Sequence, residues 1–259
     1  MEFGISTLSI VPIRTEPSNK SEMVTQLLFG ETFSVIDKYK DWYQVRLAYD
    51  NYEGWIEKLQ ILNISQNEFQ KLNSEESKIT LELVQKTKNV SLNKNYYVVI
   101  GSNIPPLDNN IFKINDEEYY FDGAISGSVK QEKSKIIKYA QMFLNAPYLW
   151  GGRTPFGIDC SGFTQICYKL CGIKLMRDAS QQATQGNIIN FISEATPGDL
   201  LFFDNEEGDI VHCGIFLPDN KIIHASGKVR IDDIDHHGIF NYESKKYSHK
   251  LRLIKCVNE

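Results

Sequence analysis

The first 159 residues of this 259-residue chain contain neither cysteine nor histidine. The groups most used for chemistry near neutral pH are thus missing from that stretch. All five cysteines and all five histidines fall in the last hundred residues, so a support region precedes a working region. Other absences narrow the class. The cysteine count is odd and no C-x-x-C pair occurs, which excludes a disulfide framework and a zinc site of close ligand spacing. No apolar run approaches the roughly 18 residues that a membrane-spanning helix needs, so no membrane insertion is expected. No Lys/Arg cluster could track phosphates and the net charge is −5, which argues against a nucleic-acid partner. The opening MEFGISTLSI has an acid at position 2 and no basic stretch ahead of an apolar core, unlike a secretory leader. A cytoplasmic home is expected; a periplasmic or secreted one is the alternative if a leader has been removed.

What is present is globular, with 42% hydrophobic and 24% charged residues. The length allows one large domain or two to three small ones. Residues 1–62 read as short strands: TLSIVPIRT, VTQLLFG, ETFSVIDKY, DWYQVRLAY and YEGWIEK, with turn formers between them. The order VPIRTEPSNKSEMVTQLLFGE, DWYQVRL and YEGWI resembles a bacterial SH3-like domain. Trp42 and Trp55 are expected in its core or rim. Residues 63–130 hold a polar stretch, SQNEFQKLNSEES, then strand-like patches broken by Pro105-Pro106 and Asp-Asn-Asn. A second, degenerate SH3-like barrel fits these short strands and turns. SGSVKQEKSK reads as a polar junction into a third domain, residues 131–259.

That domain opens with a helix over 133–144, where Ile136, Ile137, Ala140, Phe143 and Leu144 share one face. Pro147 follows as a breaker. A second helix begins near Asp159, a good N-cap, with Phe163, Ile166, Cys167, Leu170 and Cys171 at core spacing and Gly172 as its C-terminal stop. Cys167 and Cys171 are core filler on this pattern. Cys160 would sit in the first turn, where unsatisfied N–H groups favour thiolate over thiol and could hold a negative oxygen. Gly151, Gly152 and Gly157 just before it would let a substrate backbone approach. The alternative is an exposed cysteine that merely begins a helix.

The downstream strands favour the first reading. GDLLFF, IVHCGIF and KIIHAS are strand-like, and Pro218-Asp219-Asn220 suits a three-residue hairpin loop between the last two. Leu217 then faces Lys221 and Gly214 faces His224, which puts His212 and His224 on one sheet face as diagonal neighbours. A two-residue loop would put them on opposite faces. Helix-capped thiol, base and orienting ring form a nucleophilic constellation of Cys160, His212 and His224. A zinc site from the same three lacks close ligand spacing. His236, His237 and His249 sit in polar, charged surroundings and read as surface residues.

YLWGGRTPFGIDCSGFTQ, MRDASQQATQG, PGDLLFF, VHCGIF and IIHASG occur in the order seen in NlpC-type cell-wall cysteine peptidases, and residues 133–256 resemble that papain-like family. The resemblance implies an α+β, papain-like catalytic domain preceded by two small SH3-like β-barrels. It implies Cys160 as nucleophile, His212 as base and His224 as the orienting residue, with no metal or organic cofactor. With SH3-like domains in front, the chain resembles the YkfC-type γ-D-glutamyl-L-diamino-acid endopeptidases, also called dipeptidyl-peptidase VI. That implies a peptidoglycan-derived substrate whose γ-D-Glu–diamino acid bond is cut when its N-terminal L-Ala is free. Asp159, Ser161 and Asp178 would then read the ammonium, and Tyr148 would donate to the oxyanion. An acid and a tyrosine of the first SH3-like domain, here Glu16 and Tyr52 with Glu22 a rival acid, would close the cleft. Ala179 stands where relatives often carry a hydroxyl, with Ser180 next. Arg177 anchors its loop, and Asp199 forms a turn. Amidase or transacylase chemistry on the same fold, or a non-catalytic wall-binding protein, are the alternatives.

Overall fold

Short β-branched and aromatic runs between turn formers make the N-terminal part of the chain almost wholly β, and the two helices expected later anchor the rest. The structure, a computed structural model, describes residues 1–73, 78–126, 133–242 and 244–257. It divides into two compact units, Met1–Val129 and Lys130–Glu259. The junction residues 127–132, and Ser74–Ser77 at the end of the polar stretch, lie outside the described residues.

In the first unit a seven-stranded sheet runs in the order Met23–Leu28, Ile10–Arg14, Glu53–Glu57, Trp42–Leu47, Thr32–Tyr39, Glu2–Ile5, Leu62–Ile64. Five of these are the strands expected from the sequence. The flanking pair, Glu2–Ile5 and Leu62–Ile64, are too short to stand out by pattern. Alternation does the packing: Val11 with Ile13 and Val45 with Leu47 point inward, and they share a core with Leu27, Phe33 and Ile56. Trp42 and Trp55 are half-buried. Strands Lys94–Val99, Val84–Asn89, Glu117–Tyr120 and Ile111–Ile114 form a second sheet, and Lys78–Ile79 pairs with Asn103–Ile104. Helix Gln66–Leu72 is capped by Ser65, whose Oγ accepts from the Glu68 N–H at 3.1 Å. Ile5, Phe29, Ile64 and Leu72 pack into one cluster with Val98, Ile104, Phe112, Tyr119 and Phe121, so both sheets of this unit share a core.

The second unit begins with helix Ser134–Met142, which buries Ile136, Ala140 and the following Phe143. Leu144, expected on the same face, is exposed, because the helix has ended two residues earlier. Helix Cys160–Lys169 is buried along its whole length. Gly172, at φ 76°, takes the left-handed turn that ends it. Six strands follow in spatial order Lys246–Cys256, Leu200–Asp204, Ile210–Leu217, Lys221–Ser226, Lys228–Asp235 and Gly238–Asn241; the last pairs back to the first and closes a barrel. Asn187–Ile189 adds to its outside. The second unit is thus mostly sheet, with its helices gathered at the start.

Candidate active site

Asp159 stops the strand-like approach at φ −92° and ψ 176° and begins the helix by accepting from the Gly162 N–H at 2.6 Å. Its carboxylate also accepts from the Gly151 N–H at 2.8 Å and from both terminal nitrogens of Arg177, at 3.0 and 2.6 Å. Arg177 reaches the Ser161 Oγ as well, at 2.9 Å. The pair is almost sealed, with Arg177 and Asp159 side chains 1% and 8% exposed. The first turn of the helix is thereby fixed from three sides, and Cys160 rides on it. The glycines before it serve the loop itself. A Cβ on Gly152 would lie 2.4 Å from the Gly157 carbonyl oxygen, and one on Gly157 would meet the Leu149 side chain at 2.7 Å.

The hairpin has the predicted register. Leu217 pairs with Lys221 and Gly214 with His224, and Asp219 and Asn220 take the positive φ values of the three-residue loop. A Cβ at Gly214 would meet His224 Cβ at 2.8 Å, so glycine makes the room there. His212 and His224 share a face, and His212 Nε2 lies 2.8 Å from His224 Nδ1. With Nε2 engaged, Nδ1 is the nitrogen left free to receive a proton from Cys160, whose charge pulls His212 upward.

Three residues that the sequence did not reveal complete the arrangement. Asp232, on the next strand, accepts from His224 Nε2 at 2.9 Å and is held by Arg230 through Nε at 2.6 Å. The chain Cys160–His212–His224–Asp232 therefore has one consistent set of donors: His212 Nε2–H to His224 Nδ1, and His224 Nε2–H to the carboxylate. Strand alternation through RIDDID places Arg230 and Asp232 on one face, which is the signal that could have found them. Cys213, beside His212 in sequence, faces the helix instead, where its thiol donates to Gln182 Oε1 at 3.8 Å and lies 3.6 Å from Thr164 Oγ1. His249, expected at the surface, is half-buried and stacks on His212 with centroids 4.2 Å apart and planes 26° from parallel. That expectation failed because the last strand, Lys246–Cys256, crosses back into the barrel beside Leu200–Asp204, a long-range pairing that local polarity does not report. His236 and His237 are exposed, as expected.

Electrostatics favour a reactive thiol. Cys213 and, after it, His212 hold Cys160 well below an ordinary cysteine, against burial and the charge of Asp159. Burial pushes His212 below the ordinary imidazole range, against the pull of Cys160. His224 is lowered by burial too, with Asp232 opposing. Burial would raise Asp232, but the donors on His224 and Arg230 outweigh it and its carboxyl is held down. Burial pushes the Tyr148 phenol up to about 12, and the charges of Cys160 and Asp159 add to this, so it stays a donor at neutral pH. Asp178 precedes the short helix Ala179–Gln182, its N–H donating to Gln181 Oε1 at 3.1 Å. Ala179 is buried and Ser180 exposed. Asp199 is buried, receives Lys133, and accepts from the Thr196 N–H at 2.6 Å, the turn role expected of it. In the first unit Glu16 is exposed and Tyr52 packs half-buried against that unit's core. Among the described residues no group of three or more His, Cys, Asp or Glu side chains is arranged to hold a metal ion.

Helix-borne thiol, imidazole base and a backed second imidazole define the class as a thiol hydrolase. Residues 145–248 match the NlpC/P60 family, and residues 13–61 match the bacterial dipeptidyl-peptidase Sh3 domain. The chain is 31% identical over 215 residues to a γ-D-glutamyl-L-lysine dipeptidyl-peptidase of Bacillus subtilis, covering 78% of this chain and 71% of that one. It is 26% identical over 246 residues to a dipeptidyl-peptidase 6 of Lysinibacillus sphaericus, covering 85% and 87% of the two chains. A crystal structure of an NlpC/P60 family protein from Bacillus cereus shares its fold, with a TM-score of 0.81 and 21% identity over 98% of this chain and 99% of that chain. This chain belongs to the NlpC/P60 family, and it is a cysteine peptidase carrying a bacterial SH3 domain.

Proposed function

We propose that this cell-wall peptidase hydrolyses the bond between γ-D-Glu and the diamino acid of peptidoglycan stem peptides whose N-terminal L-Ala is free. One observation carries the chemistry: a thiol in the first turn of a capped helix, beside a base backed by His224 at 2.8 Å and, through it, by Asp232 at 2.9 Å. The relatives named above support the choice of bond. The papain-like reading of the catalytic unit, a nucleophile helix against a β-barrel that carries the base, is part of the same proposal.

His212 Nδ1 takes the Cys160 proton, and the thiolate attacks the γ-carbonyl carbon. The oxygen that becomes negative is held by the Cys160 backbone N–H at the helix start and by the Tyr148 hydroxyl. His212 then gives its proton to the leaving α-amine, which departs with the diamino acid and leaves an L-Ala-D-Glu thioester on Cys160. His212 deprotonates a water, which hydrolyses the thioester and restores the thiol. His224 keeps the His212 ring in its donor-acceptor sense, and Asp232 fixes that of His224. Arg177, Asp159 and Ser161 hold the nucleophile turn. Recognition of the free ammonium falls to Asp178, with Asp159 and Ser161 beside the nucleophile.

Mass spectrometry of the products from L-Ala-γ-D-Glu-L-Lys and from its N-acetylated analogue tests this reading. Release of L-Ala-D-Glu from the free-amine peptide alone is expected. Equal cleavage of both peptides removes the ammonium recognition, and release of L-Ala or of intact tripeptide from a muropeptide contradicts the choice of bond.

A further inference from the structure

The proposed mechanism asks one imidazole to receive a proton on Nδ1 and deliver it to an amine without turning. His224 holds one edge of the His212 ring, at 2.8 Å, and Cys160 meets another. The ring's face is covered by a residue with no part in those steps. His249 lies over it at 4.2 Å between centroids and 26° between planes. Phe203 and His224 meet His249 edge-on, at 5.9 Å and 66° and at 5.9 Å and 83°. Its Nδ1 is 2.8 Å from the Ser248 Oγ. Beyond it opens a cavity of about 640 Å³ that His249 lines together with Asp204, Glu206, His237, Tyr247 and Lys250. His249 therefore stands between the base and open solvent.

We propose that His249 is a positioning residue for His212: its ring fixes the plane of the base and closes that face to water. The inference rests on His212 being the base. Two physical effects act together. A flat neighbour at stacking distance restricts rotation of the imidazole about its Cβ–Cγ bond, and misplacing a reacting group by a fraction of a bond length is costly. A neutral aromatic face also favours the imidazolium that forms when the thiol is deprotonated. Burial pushes His249 down to about 4, so the ring is neutral wherever His212 accepts a proton and does not repel it.

The groups facing this stack come from several elements. Cys160 approaches from the helix, Cys213 flanks His212 on its own strand, and His224, Asp232 and Arg230 lie on the two strands beyond. Asp204, Glu206, His237, Tyr247 and Lys250 surround His249 on the cavity side. Burial keeps His212 low. Removing the ring admits water, relieves that burial, and moves the basic limb of the pH profile upward. The apparent values belong to the coupled Cys160–His212 pair.

The test compares His249→Ala and His249→Phe by kcat, KM and the pH profile of kcat/KM on L-Ala-γ-D-Glu-L-Lys, with thermal melts as the check on folding. His249→Ala should lose roughly tenfold to a hundredfold in kcat with KM nearly unchanged, and its basic limb should move to higher pH. His249→Phe, which keeps the face, should restore both readouts. If His249→Ala does not fold, His249→Gln, with no ring, reports the same pair of quantities. A merely structural role would lower the melting temperature and leave the limb in place. Wild-type kcat and an unmoved limb in the ringless variant overturn the proposal; so does a folded His249→Phe as impaired as the ringless one, since a ring nitrogen would then be what matters. If the wild-type protein cleaves no stem peptide, the assigned function falls, an outcome distinct from either of these.

Discussion

At the scale of single residues, the reactivity of Cys160 depends on a neighbour of its own kind. The Cys213 thiol is buried and pushed well up by that burial, and its neighbourhood favours the anion on Cys160. It is the first cause of the lowered Cys160 value, ahead of His212. Removing a group that favours an anion raises the pKa of that anion. Cys213→Val should therefore move the midpoint of Cys160 alkylation to higher pH, read as the pH dependence of the iodoacetamide rate. An unmoved midpoint would show that His212 alone sets it. Legibility differs sharply at this scale. Cys160, His212 and His224 could be read because each lies within one local pattern, an N-cap or a hairpin of fixed loop length. Cys213 and His249 could not, since their roles come from faces that only the barrel brings together, and Asp232 needed the alternation of RIDDID to be followed one strand further. The polar company of His249 in YSHKLRL points outward on a strand whose alternate residues point in.

At the scale of elements, the nucleophile helix is held at its start by one buried ion pair. Asp159 and Arg177 are eighteen residues apart and join the helix to the loop before the next one. Breaking a buried pair from one side leaves an uncompensated charge, at a cost of about 3–5 kcal/mol. Asn caps a helix about as well as Asp, so Asp159→Asn isolates that charge. Urea denaturation should show a loss of that order, and a loss under about 1 kcal/mol would mean that the pair behaves like an exposed one. The element boundaries themselves were largely legible. Strands Ile210–Leu217 and Lys221–Ser226 fall where period-2 alternation and Pro218-Asp219-Asn220 put them. Leu144 was misplaced because a helical face was extended past the residue where the helix stops.

At the scale of the whole molecule, the division between a region without cysteine or histidine and a region holding all of them corresponds to a sharp change in chemistry along the chain. The first unit was legible as short strands, but not in how they pack. Phe29, between the strands of the first sheet, meets Phe112 and Tyr119 of the second, each at 6.2 Å edge-to-face. Such contacts join segments some eighty residues apart and leave no periodic trace. Phe29→Ala should cost about 3–5 kcal/mol and lower the unfolding midpoint of both sheets together. Hydrogen exchange that loosens only residues 2–64 would show that the two sheets are separately stable.

The central claim is that Cys160 is an activated nucleophile among five cysteines, four of them buried, and that none of the five is in a disulfide. Alkylation with iodoacetamide across pH, followed site by site by peptide mass spectrometry with hydrolysis assayed in parallel, tests it most directly. Cys160 should react about tenfold faster than any other cysteine at neutral pH, with a midpoint well below that of a free thiol, and hydrolysis should vanish in step. Full alkylation of Cys160 with hydrolysis intact would contradict the account.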